Sequence, residues 1–254
     1  MTEDRDEPGS DQGAALSTPP QDEEGRFGKR PSLENTEERI ARRLRGFGLL
    51  GILSILIILG GNALFLPLSA ILALVWAWLS NTPWRDLGFV RPRSWTRTIL
   101  LGILQGVALK FAMKSIVMPL LGAPPVNGAF RFLVGNTAEV PGMLYLIVVG
   151  AGFGEEVIFR GWAFERIGKL LGSAAWAKIF VVLFTSAWFG YEHYSLQGLP
   201  GVQNAAVVGL VFGSIFAVTR QIYLLMIAHV AFDLAAFALI FWDVETPVAR
   251  FFFR

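Results

Sequence analysis

Apolar residues gather into seven windows along the chain, at about 47–61, 64–80, 97–118, 142–160, 175–194, 203–219 and 221–242. Most approach the roughly 20 residues that cross a hydrocarbon core about 30 Å thick at a helical rise of about 1.5 Å. The pattern predicts an all-α membrane bundle of about seven transmembrane helices, seven or eight in all. The 47–80 region and the loop Gly122–Pro141, with its Ala-Pro-Pro turn and its Phe130-Arg-Phe-Leu-Val134 patch, are where that count can change by one.

Ahead of the first window the pattern is absent. Residues 1–35 mix Pro, Gly, Ser, Asp and Glu with no apolar period, the composition of a segment that cannot bury enough surface to offset its ordering entropy. From Thr36 the sequence TEERIARRLR predicts a short helix, with Glu37 and Glu38 in its first turn and Arg42, Arg43 and Arg45 near its end. The expected organisation is a disordered acidic tail at 1–45, a membrane domain at 46–246 whose polar core lies at 140–240, and a short C-terminal tail at 247–254. More than forty residues, acidic at their start, precede the first apolar run, which is not the layout of a cleaved signal peptide.

Composition agrees: 54% of the residues are hydrophobic and 17% charged, with mean hydropathy +0.52, too apolar for an average soluble domain. Residues 1–46 hold eleven of the twenty acidic and eight of the twenty-two basic side chains, a net −3 against +5 for the rest. The basic pI of about 9.1 therefore describes loop-borne Lys and Arg and predicts no nucleic-acid partner. Those loop cations fall at Arg42, Arg43 and Arg45; Arg85, Arg91, Arg93 and Arg97; Arg166, Lys169 and Lys178; and Arg220. With seven spans these sites alternate to one side, which predicts a cytoplasmic N-terminus. There is no Cys, which excludes disulfides, thiol nucleophiles and Cys-ligated zinc, and the only histidines are His193 and His229.

Charges inside the apolar windows are the candidate chemistry. Near the centre of a spanning helix an unpaired Asp, Lys or Arg costs roughly 2.5–3.5 kcal/mol, so such groups are paired, hydrated or used. The segment Gly152-Phe-Gly-Glu-Glu-Val-Ile-Phe-Arg-Gly-Trp162 carries three. Glu156 and Arg160 are four apart on one helical face and predict an ion pair, whereas Glu155 is turned roughly 100° away, with a partner of its own. Like charge and low dielectric disfavour ionising both carboxylates together, the setting in which general bases are found. Gly150, Gly152, Gly154 and Gly161 crowd the same stretch, fitting either close helix packing or a functional need.

Two further windows bring the histidines. Phe189 and His193 are four apart, so the ring can buttress the imidazole, and His229 and Asp233 share that spacing. Measured from Arg166, Lys178 and Arg220 as one boundary, Glu155 lies about 16 Å deep, His193 about 22 Å, His229 about 14 Å and Asp233 about 20 Å. All four fall in a band about 8 Å thick, which predicts one intramembrane polar cavity. Lys110 and Lys114 form another four-apart pair, with three roles open to it: snorkelling toward an interface, the default, lining the cavity, or balancing the acidic groups.

These residues compose three motifs, EExxxR as Glu155-Glu156-Val-Ile-Phe-Arg160, FxxxH as Phe189-Gly-Tyr-Glu-His193 and HxxxN/D as His229-Val-Ala-Phe-Asp233. In that order, over roughly residues 140–240, the chain resembles the CPBP intramembrane proteases, the CAAX-processing and bacteriocin-immunity family that includes the Rce1-type prenyl-protein endopeptidases. The loop Trp84-Arg-Asp-Leu-Gly-Phe-Val-Arg91 also looks like a segment of that family. The resemblance implies a multi-pass membrane endopeptidase acting on a membrane-associated or lipidated peptide or protein, such as a CAAX-type prenylated one, amid membrane lipid. Glu155 would activate water with His193, His229 and Asp233 would polarise the scissile carbonyl, and Glu156 with Arg160, backed by Phe189, would support the site. The family label includes "metalloprotease"; Glu155, His193, His229 and Asp233 are the candidate ligands of a zinc ion, and metal-free water activation is the other reading. Asp233 stands where the prenyl-protein enzymes carry Asn, and an anion there suits a metal or an imidazolium better than direct oxyanion contact. A non-catalytic immunity or scaffold protein of the same fold is the competing function. An ion-coupled carrier would call for an internal repeat, and the sequence shows none.

Overall fold

The computed structural model describes residues 36–253. Every regular element among them is a helix. In chain order these are α1 (Thr36–Arg45), α2 (Leu49–Gly60), α3 (Leu68–Leu79), α4 (Trp95–Leu120), α5 (Thr137–Leu171), α6 (Ala175–Glu192), α7 (Tyr194–Thr219), α8 (Ile222–Phe241) and α9 (Glu245–Ala249). The disordered-tail expectation for 1–35 lies outside the described residues. Residues 36–45, the remainder of the segment expected as tail at 1–45, form the short helix that TEERIARRLR predicts. Trp76 Nε1 donates to Leu44 O at 3.2 Å and the buried Arg166 guanidinium donates to Arg45 O and Gly46 O at 2.8 and 3.0 Å. Those bonds satisfy carbonyls that a helix C-terminus leaves bare.

Four helices, α4, α5, α7 and α8, are long and apolar enough to cross a membrane, or five if the bent pair α1–α2 is one span. The chain is an integral membrane protein, and four or five of the seven expected spans are shown. The windows at 47–61 and 64–80 become α2 and α3, twelve residues and therefore about 18 Å each. Helix α6 has the length, but Lys178, Trp188, Tyr191 and Glu192 dilute its apolar character. The orientation expected from the basic loops needs every window to cross, so a cytoplasmic N-terminus has no support in this architecture.

Helix α5 is the centre. Every residue from Glu156 to Phe164 is buried, so this stretch is covered on all sides, whereas only 22% of the apolar window of α4 is buried. Exposed Leu100 and Leu104 on α4, and Ile179 and Leu183 on α6, form the outward face expected toward lipid. Over Leu146–Trp162 the helix adopts the wider π form, with Ala163 N–H donating five residues back to Ile158 O.

Gly152 and Gly154 of α5 serve close packing. A Cβ on Gly152 would sit 2.3 Å from Val230 Cγ2 of α8, and one on Gly154 would sit 3.2 Å from Pro67 Cβ in the α2–α3 turn. Tyr145 Oη donates to Leu66 O at 2.5 Å, pinning that turn to α5. Gly106 of α4 plays the same part against α8, where a Cβ would meet Ala228 O at 2.1 Å. Small residues at these crossings bring α4, α8 and the α2–α3 turn onto the segment that carries Glu155 and Glu156.

Candidate functional site

Helices α5 and α8 cross with His229 facing both glutamates. Its Nδ1 donates to Glu156 Oε1 at 2.7 Å, and its Nε2 stands 3.7 Å from Glu155 Oε2 and 3.7 Å from Asp233 Oδ2. Glu156 Oε1 also accepts from Arg160 Nη1 at 2.9 Å, the ion pair that the four-residue spacing predicts. Both of its members are buried, whereas the side chains of Glu155 and Asp233 remain 32% and 27% exposed. The two adjacent carboxylates thus meet opposite edges of one imidazole.

Aromatic rings fix this geometry. The Arg160 guanidinium lies 4.8 Å from the centroid of Phe189 and 5.5 Å from that of Phe212, so the buried cation is held between two ring faces as well as by Glu156. His229 packs edge-on against Phe212 and Phe189 at 5.5 and 6.0 Å. Phe189 also buttresses His193 at 4.8 Å, and His193 Nδ1 bonds back to Phe189 O at 2.8 Å. A carbonyl can only accept, so Nδ1 carries the proton and a neutral His193 presents Nε2 as its acceptor. The sequence identified Phe189 through its four-residue spacing. It gave no sign of Phe212, which comes from a helix without polar motif residues, nor of the Glu156–His229 bond, which joins positions 73 apart.

A pocket of about 830 Å³ joins the four groups: Glu155, His193, His229 and Asp233 all line it, whereas Glu156 and Arg160 lie behind the wall. The loop 123–130 between α4 and α5 also lines it, fastened by Glu245. Glu245 accepts from Lys114 Nζ at 2.5 Å and from Asn127 N at 3.2 Å. Lys110 lines the pocket too, its Nζ 4.8 Å from the Phe232 ring centroid. The default expectation of snorkelling gives way to the other two: both lysines line the pocket, and Lys114 balances the buried Glu245.

The candidate zinc ligands are not assembled into a metal centre among the described residues. His193 bonds Phe189 O and His229 bonds Glu156 through Nδ1, which leaves Nε2 of each ring toward the pocket. Glu155 and Asp233 meet His229 Nε2 at ion-pair distance. Among the described residues no group of three or more His, Asp or Glu side chains is arranged to hold a metal ion. The "metalloprotease" expectation is therefore unsupported, and no step below runs through zinc.

Fold and site define a helical integral membrane protein that gathers two histidines and two carboxylates from three helices at one pocket. Residues 137–235 match the model of the family described as type II CAAX prenyl endopeptidase Rce1-like. That match runs from the start of α5 into α8, takes in all three motifs, and agrees with the CAAX-processing resemblance. No curated protein and no solved structure matches the chain.

Proposed function

We propose that this protein is an intramembrane endopeptidase that hydrolyses a peptide bond in the 830 Å³ pocket. The observation that carries the reading is the division of labour between adjacent carboxylates, with Glu156 buried and bonded to Arg160 and His229 while Glu155 opens to the pocket. A pocket of about 830 Å³ lined by these polar groups has room for a peptide and for the water that hydrolysis consumes. In the reaction Glu155, with His193 Nε2 as the second acceptor, takes a proton from that water as its oxygen attacks the carbonyl carbon. His229, its Nδ1–H given to Glu156, presents Nε2–H in its protonated form to the oxyanion. Collapse of the tetrahedral species breaks the C–N bond, and the proton held by Glu155 passes to the leaving amine. Asp233, beside Nε2, balances the charge of that imidazolium and does not meet the oxyanion itself. Phe189 and Arg160 are positioning residues.

The substrate is a membrane-associated or lipidated peptide, the class that a CAAX prenyl endopeptidase family suggests, with CAAX-type prenylated proteins the first to try. The test is purified protein in detergent presented with a library of peptides, some prenylated, and mass spectrometry of the products. Cleavage at one type of bond by the wild type supports the reading. Intact peptides throughout, together with a membrane phenotype that survives Glu155→Gln, would instead mark a non-catalytic immunity or scaffold role.

A further inference from the structure

Among the described residues four carboxylates line the pocket, Glu155, Glu192, Asp233 and Glu245, and three of them have a basic partner. Glu155 and Asp233 each stand 3.7 Å from His229 Nε2, and Glu245 holds Lys114 at 2.5 Å. Glu192 differs. Among the described residues no Lys, Arg or His nitrogen lies within ion-pairing distance of it, and its Oε1 accepts instead from a neutral donor, Trp188 Nε1, at 2.9 Å. That bond pins the carboxylate beside an indole that also lines the pocket and packs edge-on against the buried Phe159 at 4.8 Å. Oε2 is left open. A fixed carboxylate beside an indole ring suits a guanidinium or ammonium group, which gains an ion pair from the one and a cation–π contact from the other.

We propose that Glu192, with Trp188, receives a Lys or Arg side chain of the peptide being cut, and so selects substrates with a basic residue a few positions from the scissile bond. The inference rests on the endopeptidase reading and deepens it. Glu192 precedes His193 in the chain and both line the pocket, so a cation bound by Glu192 belongs to the molecule at the site of hydrolysis. Neighbouring Cα atoms are about 3.8 Å apart and an extended peptide advances only about 3.3–3.6 Å per residue, which keeps that cation close to the cut. Tyr191 and Tyr194, 71% and 60% exposed, flank Glu192. Exposed tyrosines mark a membrane–water interface, the level to which the Lys and Arg side chains of a membrane-associated peptide reach.

The test uses the full chain in detergent and a peptide that the wild type cleaves, with Lys, Arg, norleucine or Glu placed in turn at each position near the bond, on both sides. At one position the wild type is expected to favour Lys and Arg over norleucine by roughly 10-fold in kcat/KM, the scale of an exposed ion pair together with a cation–π contact. There Glu192→Gln should bring the ratio to within about 2-fold of unity, and Glu192→Lys should turn the preference toward Glu. Equal use of all four residues at every position by the wild type overturns the proposal while leaving the endopeptidase reading intact. A preference that survives Glu192→Gln unchanged gives the cation to another group, and overturns it too. If the wild type ignores peptide charge, but bilayer discs of phosphatidylethanolamine alter its rate only when Glu192 is present, the site holds a lipid ammonium and the proposal falls. If the folded wild type cleaves none of a peptide library, both readings fall. The wild-type comparison needs no variant, so it stands even where Glu192→Gln fails to fold.

Discussion

His229 donates Nδ1–H to Glu156 Oε1 across 2.7 Å, joining the last motif of the chain to the first. That bond gives Glu156 two tasks, because the same oxygen accepts from Arg160 at 2.9 Å. Removing one partner of a buried ion pair typically costs about 3–5 kcal/mol, since the other charge is left uncompensated.

Glu156→Gln is therefore expected to lower the thermal midpoint of the detergent-solubilised protein by several degrees and to impair cleavage by freeing the His229 ring. Arg160→Met should do the same through the opposite partner. A midpoint within about 1 °C of wild type for both variants would contradict the pairing as a structural element.

Phe189 touches Arg160, His193 and His229 at once. Truncating a buried aromatic commonly costs about 3–5 kcal/mol, part of it for the cavity left behind. Phe189→Leu should be milder in stability yet still reduce kcat, because a branched aliphatic chain offers no ring face to the guanidinium. The ratio of the two effects, read from melting curves and initial rates, separates packing from positioning.

The glycine crossings give a purely steric prediction. Gly152→Ala would drive a Cβ to within 2.3 Å of Val230 Cγ2 and is expected to destabilise by about 1–3 kcal/mol. Gly142→Ala, with open space around it, should be neutral or slightly stabilising. Gly152→Ala with Val230→Ala should recover much of the loss; no recovery would contradict the close approach of α5 and α8.

The loop between α4 and α5 is tied to the end of α8 and the start of α9 at three points: Asn127 with Glu245, which also holds Lys114 of α4, Arg131 with Asp243 at 2.7 Å, and Gly135 N with Phe241 O at 2.9 Å. The first is buried and the second exposed, so their energies differ. Glu245→Ala should accelerate proteolysis within 122–136, while Asp243→Ala should change it little. Equal protection in the two variants would show that the buried pair does not hold the loop.

What the sequence revealed and what it hid follow from the range of the interactions. Glu156 with Arg160, and Phe189 with His193, are four-residue relations set by the local turn of a helix, and both were legible. The four polar groups do line one pocket, but the depths that grouped them assumed a crossing at 175–194, and α6 is not among the helices apolar enough to cross. The number of crossings was not legible, because hydropathy cannot distinguish twelve apolar residues in a short helix from a window extended across the turn Gly61–Pro67. Nor could it reveal that Lys110 and Lys114 turn inward, which depends on Glu245 and Phe232 more than a hundred positions away.

The central claim is that Glu155, and not its neighbour, is the group free to do chemistry. The most direct measurement is the melting midpoint and the cleavage rate of Glu155→Gln beside wild type. Glu155 is partly exposed and shares no bond with Arg160, so the midpoint should move by no more than a degree or two, while kcat falls by about 10²–10⁴-fold. A Glu155→Gln protein that melts like the wild type and still cleaves at the wild-type rate would contradict the account.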